Sequence, residues 1–283
     1  MLISIASGKG GTGKTALTLL LAAAHSDINV VDGDVEEPNC HLFLKPKSEG
    51  QRKDVTIMVP NIDADRCNGC GACAEVCLFN AIAITGGKAL IFDELCHSCG
   101  GCMLKCPQDA IVEQRKSIGV ITCGDSTTIS STRLMSGVLK IGVPSGVPLI
   151  KAIKKEAQGI VGDVLFDCPP GTSCSMVSAV KESDFCILVT EPTSFGKHDL
   201  ELAMNITQLL EIDTGVVINK SDGGAGDEAI EAICRNRQIP VLAKIPYSLS
   251  FAREYSAGII ANDYQAIAKD IWRQIRPGGR AEA

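Results

Sequence analysis

Eight of the fourteen cysteines in this 283-residue chain lie between positions 67 and 106, in two runs of identical spacing. The first run is Cys67, Cys70, Cys73 and Cys77; the second is Cys96, Cys99, Cys102 and Cys106, followed by Pro107. Both read C-x2-C-x2-C-x3-C, the spacing that wraps a [4Fe–4S] cubane. Structural zinc sites more often divide four ligands into two separated pairs. The runs sit in a sequence repeat with an offset of 29: Cys67 maps to Cys96, Cys77 to Cys106, and Ala81-Ile82 to Ala110-Ile111. Self-similarity at a fixed offset means two copies of one small unit. So short a stretch has little core of its own and needs bound ligands to hold it together.

The repeat interrupts a different pattern. Gly8-Lys9-Gly10-Gly11-Thr12-Gly13-Lys14-Thr15 matches G-x-x-x-x-G-K-[ST], after an apolar run and before a helical one. Glycines let such a loop turn tightly with its N–H groups inward, and the helix adds its positive end. Lys14 is expected to reach the β- and γ-phosphates of ATP or ADP, and Thr15 to ligate Mg²⁺. A glycine-rich turn without a ligand would not need strand, loop and helix in that order. Buried strands are predicted at 2–6, 29–31, 164–166, 185–189, 216–218 and 241–245, with helices at 15–24, 198–210, 227–235 and 264–275. This alternation implies an α/β fold: a wound, mainly parallel sheet with helices on both faces. It resumes near Ser117. The boundaries are therefore 1–55 with 117–283 for a discontinuous phosphate-binding domain, and 56–116 for a small α+β insert.

Composition removes some alternatives. A net charge of −6 gives no basic footprint for nucleic acid. No apolar run is long enough to span a bilayer, and Met1 leads directly into a strand, so no signal peptide is expected. The chain is expected to be cytoplasmic, where cysteines serve as metal ligands more often than as disulfides.

Lys9 carries a resemblance. The loop is similar to the deviant Walker A family, K-G-G-x-G-K-[ST], which includes MinD, ParA, Mrp/ApbC and the nitrogenase iron protein. The resemblance implies a nucleotide-sandwich homodimer in which Lys9 crosses to the partner's ATP, as an arginine finger does. Val30-Val31-Asp32-Gly33-Asp34 resembles the family's switch I, which makes Asp34 the residue that orients the attacking water. Val164 to Gly171 resembles the Walker B strand and switch II, with Asp167 holding the Mg²⁺ shell through water. Asn219-Lys220 resembles the adenine-side element. Glu191-Pro192-Thr193 and Ile245-Pro246-Tyr247 follow further strands, where ligand sites of such sheets cluster. The insert resembles a bacterial two-cluster ferredoxin, whose fourth cysteine in each run ligates the other cluster. Carried over, Cys67, Cys70, Cys73 and Cys106 hold one cluster, and Cys96, Cys99, Cys102 and Cys77 the other. Cys77 is followed by Leu78 where the pattern has proline, which changes a turn and no ligand. His97, inside the second run, reads as a surface loop residue.

From end to end the chain resembles MinD-superfamily P-loop ATPases with an inserted ferredoxin domain. Asp34-Val35-Glu36-Glu37-Pro38-Asn39 and the stretch Glu191 to Leu200 carry this likeness. It implies an ATPase whose nucleotide state gates electron transfer through two [4Fe–4S] clusters to a redox partner. An iron–sulfur or metallocofactor assembly factor, delivering to an accepting protein, is the alternative. A MinD-like membrane switch ranks third, because Tyr264, Ile267, Ile271, Trp272 and Ile275 have ordinary core-packing periodicity and the tail from Arg276 to Arg280 is short and polar. A purely structural role for the clusters stays open. Oxygen-sensitive cubanes suggest an anaerobic or microaerobic host. Outside the runs, Cys186 and Cys234 read as packing residues, and Cys40, Cys123 and Cys168 have no assigned task. Cys174, seven residues after Asp167, matches the offset of a cluster ligand in the nitrogenase iron protein. It is either a shared site across a dimer axis or a small buried loop residue.

Overall fold

The computed structural model describes residues 1–25, 27–47, 50–260 and 263–276; positions 277–280 of the polar tail lie outside the described residues. In chain order the elements are β1 (Leu2–Ala6), α1 (Lys14–Ala23), β2 (Ile28–Asp32), α2 (Cys40–Leu44), β3 (Gln51–Ile62), α3 (Ala72–Glu75), β4 (Ile82–Thr85) and β5 (Lys88–Ile91). Next come α4 (Gly101–Lys105), β6 (Ile111–Asp125), β7 (Arg133–Leu139), α5 (Val147–Gln158), β8 (Asp163–Asp167), α6 (Cys174–Val180) and β9 (Phe185–Thr190). The chain ends with α7 (Ser194–Leu209), β10 (Thr214–Ser221), α8 (Ala225–Asn236), β11 (Val241–Pro246), α9 (Leu249–Ser256) and α10 (Gln265–Ile275). Two compact units result. The first comprises Met1–Arg52, Ile121–Val138 and Ile150–Ala283, and the second Lys53–Val120 with Leu139–Leu149.

The sheet of the first unit runs β11-β10-β9-β1-β8-β2-β7, with β6 following β7. Every pair from β11 to β7 is parallel. Its central strands β1 and β9 are buried along their whole length and apolar except for Ser4 and Thr190, as strands covered on both faces tend to be. Strand β7 was not foreseen: Arg133-Leu134-Met135-Ser136-Gly137-Val138-Leu139 has neither a long apolar run nor clean alternation. Helix α7 begins four residues before the expected start because Thr193 caps it, its Oγ1 accepting the Gly196 N–H at 3.0 Å. One core cluster joins Ile3, Ile5, Leu17, Leu21 and Val30 to Ile271, Trp272 and Ile275 of α10. Trp272 Nε1 donates to the Leu21 carbonyl at 2.9 Å. The apolar stripe of α10 is thus consumed by packing. Among the described residues no helix is long and apolar enough to cross a membrane.

The second unit is built on different terms. Strands β4 and β5 pair antiparallel, Ile82 opposite Ile91 and Thr85 opposite Lys88. Helices α3 and α4 are single turns, each entered from a glycine at positive φ, Gly71 at 86° and Gly100 at 76°. The core cluster around its thiols has Cys73, Ile82, Cys102 and Ile111 as buried members. Strands β3 and β6 carry the chain out of the first unit and back.

Because Ile271 is fully buried and Lys269 on the same helix is exposed, Ile271→Ala is expected to lower stability by about 2–5 kcal/mol. Lys269→Ala is expected to change it by less than about 0.5 kcal/mol. Urea unfolding followed by circular dichroism measures both.

Candidate functional site

The loop between β1 and α1 is held open by glycines. Gly11 and Gly13 have φ of 76° and 97°, and a Cβ on Gly13 would lie 2.2 Å from Asn219 Nδ2. That amide donates to the Thr12 carbonyl at 2.7 Å, so Asn219 on β10 props the loop from behind. Lys14 is buried at the start of α1. Thr15 Oγ1 donates to Asp167 Oδ2 at 2.6 Å. Lys9 Nζ lies 3.2 Å from Glu191 Oε2. Glu191 also pairs with Lys220, whose Nζ donates to the Gly11 carbonyl at 3.1 Å. The two ammonium groups hold the Glu191 carboxyl below its ordinary value against the opposing effect of its burial.

Asp32 ends β2, Asp167 ends β8, and the two are register partners. Parallel register places them on one face, a strand spacing of about 4.8 Å apart. Both are buried. Burial and then the Asp167 charge push Asp32 up to about 7, while the Asn39 and Cys40 N–H groups, donating to Oδ2 at 2.8 and 2.9 Å, oppose the rise. Burial likewise raises Asp167, against Thr15 and Lys14. Asp34 rises to about 6 through burial and Asp167, opposed by Lys14. The turn between Asp32 and Asp34 needs glycine: a Cβ on Gly33 would meet Phe166 Cε1 at 2.1 Å. Cys40, fully buried at the start of α2, directs its Sγ at Asp167 Oδ2, 3.6 Å away.

Beside these groups lies a cavity of about 430 Å³, roomy enough for a nucleotide, lined by Gly10, Gly13, Lys14, Thr15, Asp34 and Asn219 among others. Tyr247, Phe251 and Tyr255, with Pro246, add an aromatic wall to the lining. Burial raises the Tyr255 phenol to about 12, with Asp167 and Cys40 adding to the effect. Gly8 approaches the Asp199 backbone so closely that a Cβ would fall 2.3 Å from its carbonyl oxygen.

In the second unit the eight cysteines line two cavities. One is bordered by Cys67, Cys70, Cys73 and Cys106, with Pro107 beside them. The other is bordered by Cys77, Cys96, Cys99 and Cys102, with His97 and Phe79 at its edge. Each set takes three thiols from one run and the fourth from the other. Backbone N–H groups point at the sulfurs: Ala81 to Cys77 Sγ and Ala110 to Cys106 Sγ, both at 3.3 Å, and Ala89 to Cys67 Sγ and Ser98 to Cys96 Sγ, both at 3.4 Å. The N–H groups of Ala89 and Gly69 draw the Cys67 thiol below its usual value, and burial raises Cys73 and Cys102. His97 is exposed and stacks on Phe79 with ring centroids 3.9 Å apart.

The family model for the CobQ/CobB/MinD/ParA nucleotide binding domain matches residues 3–260. The chain belongs to this family. It is 32% identical over 224 residues to the uncharacterized protein MJ0578 of Methanocaldococcus jannaschii, 78% of each chain being covered. Over 55 residues, 18% of this chain and 71% of the relative, it is 38% identical to the uncharacterized ferredoxin MJ0722 of the same organism. In fold it is similar to the septum site-determining protein MinD from Pyrococcus horikoshii, solved with Mg-ADP, at a TM-score of 0.59 and 20% identity, covering 100% of this chain and 99% of that one.

As a CobQ/CobB/MinD/ParA nucleotide-binding protein, the chain gathers Gly8 to Thr15, Asp34, Asp167 and Asn219 at the carboxyl ends of its strands. The expected strand end at Pro246 and Tyr247 does line the cavity, whereas sequence reasoning missed Asp32, Cys40 and the aromatic residues of α9. Asp32 was legible, because it ends a predicted strand beside Asp34. Tyr255 and Phe251 carry no local signal. Cys174 is exposed, whereas Cys168, Cys186 and Cys234 are buried.

Two of these carboxyls set a pH dependence. Asp32 and Asp34 have raised values in the folded state, so the folded chain holds more protons than the unfolded one between about pH 4 and 7. Their contribution therefore favours folding at low pH and is lost as pH rises through 6 and 7. Without nucleotide, Asp32→Asn is expected to be more stable than wild type at pH 8, by up to about 4 kcal/mol. The difference should shrink by pH 6, as read by denaturant titration at both values.

Proposed function

We propose that this protein is an iron–sulfur ATPase that couples ATP binding and hydrolysis in a homodimer to electron transfer through two [4Fe–4S] clusters to a partner protein. The observation that carries the reading is the pairing of a phosphate-binding loop with two four-thiol cavities in one chain. The fit to cubanes rests on the donor chemistry. Each cavity offers four sulfurs, and backbone N–H groups face the sulfurs from outside, which favours the thiolate. On this reading Cys67, Cys70, Cys73 and Cys106 hold one cluster, and Cys77, Cys96, Cys99 and Cys102 the other. The clusters supply one-electron chemistry, at potentials tuned by those hydrogen bonds. The partial likeness to a ferredoxin supports this assignment.

In the first unit, Lys14 and the loop N–H groups would take the phosphates, and Thr15 would give up Asp167 to ligate Mg²⁺. Asp167 would then hold the metal's water, and Asp34 would orient the attacking one. Asn219 would support the adenine side. Lys9 must leave Glu191 to reach a partner's nucleotide. The coupling route is covalent: from Asp34 the chain passes through α2 into β3 and so into the second unit. A nucleotide-driven shift of the Asp34 loop would be felt along that strand. A second reading, delivery of a cluster to an acceptor, draws on the exposed Cys174 at the start of α6. It requires iron and sulfide transfer that Cys174→Ser abolishes.

Anaerobically reconstituted protein is expected to hold about eight iron and eight sulfide per chain, and Cys106→Ser to lose the cluster assigned to the first run. Lys14→Ala and Lys9→Ala are each expected to slow ATP hydrolysis by at least about 100-fold. Redox titrations with an ATP analogue, with ADP and without nucleotide test the coupling. Midpoint potentials and partner reduction rates that are indifferent to nucleotide, with hydrolysis intact, would sink it.

A further inference from the structure

The nucleotide reading gives tasks to Asp34, Asp167 and Thr15 and none to Cys40. Yet Cys40 is fixed in place. Its own N–H and that of Asn39 donate to Asp32 Oδ2, so the chain from Gly33 to Asn39 wraps back and sets the Cys40 side chain against the end of β8. One donor atom each from Asp32, Cys40 and Asp167 lies within 4.8 Å of the other two, and all three residues are buried. Asp167 Oδ2 takes the Thr15 hydroxyl, but Asp167 Oδ1 is buried with no hydrogen-bond partner among the described residues. A buried carboxylate oxygen left unpaired is costly unless a proton or a cation meets it.

The donor set selects the cation. Mg²⁺ takes oxygen ligands in a near-octahedral shell and keeps several waters. A thiol in a buried pocket offers it little. Zn²⁺ accepts sulfur at about 2.3 Å and carboxylate oxygen at about 2.0–2.2 Å in a tetrahedral shell. Donors on such an ion stand roughly 3.3–3.8 Å apart; Cys40 Sγ and Asp167 Oδ2, at 3.6 Å, already meet this, and no pair needs to close by more than about an ångström. Three protein donors leave a fourth position for water.

We propose that Asp32, Cys40 and Asp167 form a site for a thiophilic divalent ion, of which Zn²⁺ is the model, and that the ion competes with Mg²⁺-nucleotide. Competition follows from the shared residue. In the nucleotide reading Asp167 holds the Mg²⁺ shell, and a second divalent ion on the same carboxylate would repel Mg²⁺ at close range. Only this competition rests on the nucleotide reading; the binding of the ion does not.

The test uses the full-length, cluster-loaded protein under anaerobic conditions. Equilibrium dialysis against micromolar Zn²⁺ is run on wild type, Cys40→Ala and Cys234→Ala, the last removing a buried thiol of α8 far along the chain from the site. Wild type and Cys234→Ala are expected to retain one more equivalent than Cys40→Ala. Zinc-edge X-ray absorption of wild type carrying one equivalent needs no variant. It is expected to show one sulfur at about 2.3 Å with oxygen at about 2.0–2.2 Å. Equal retention by Cys40→Ala, or a shell of four sulfurs, would overturn the site. Mg-ADP is expected to displace the extra equivalent. Zinc bound with the expected shell and indifferent to Mg-ADP, in protein that still binds Mg-ADP, would overturn the competition alone; failure of the zinc-free protein to bind Mg-ADP would overturn the nucleotide reading and leave the ion site standing.

Discussion

Asp32 and Asp167 stand side by side at the ends of adjacent parallel strands, both cut off from water, and most of the first unit's site is arranged around that juxtaposition. Two like charges at a strand spacing in a low dielectric cannot both be accommodated without compensation. The chain supplies it from two directions. Backbone N–H groups of Asn39 and Cys40 turn in towards Asp32, which forces the segment after β2 to fold back over the sheet. Thr15 and Lys14, at the start of α1, serve Asp167. The glycine loop, the segment around Asp34 and the end of β8 are therefore one electrostatic unit. Whatever changes the charge at its centre, a proton or a metal ion, acts on all three at once.

Glu191 does the corresponding work at the rim. It holds Lys9 and Lys220 together, and Lys220 in turn touches the glycine loop. The Lys9 contact is partly exposed, with side-chain exposures of 31% and 13%, so it is worth only about 0–1 kcal/mol. Such a pair keeps an ammonium near the loop without binding it tightly. A phosphate, with more charge and better geometry, would displace the carboxylate readily.

Much of this was readable in the sequence because it is local. The loop from Gly8 to Thr15, the strand ending at Asp167 and the paired cysteine runs each carry their chemistry within a few residues, and the six strands expected of the first unit all form. What escaped is what tertiary structure assembles. Strand β7 joins the sheet through its register with β2 rather than through its own pattern. The aromatic wall of α9 reaches the cavity from far along the chain. Cys40 looked idle because nothing near it in sequence is a ligand; its partners are eight residues before it and 127 after.

The second unit makes the opposite bargain with its core. The cluster around the thiols has four buried members, two of them cysteines, and so small an apolar core gives the cysteine-bearing segment little stability of its own. Its glycines at positive φ spend further backbone entropy. The arrangement of thiols answers this. If each fourth cysteine closed on its own run, two small loops would form and nothing would join them. With Cys106 beside Cys67 and Cys77 beside Cys96, any ion or cluster bound in either cavity must span the 29-residue repeat. Each such ligand then closes a long loop, and the restriction it places on the unfolded chain grows with loop length. On the proposed cluster reading, binding and folding of this unit are linked, and loss of one crossing cysteine would loosen both halves.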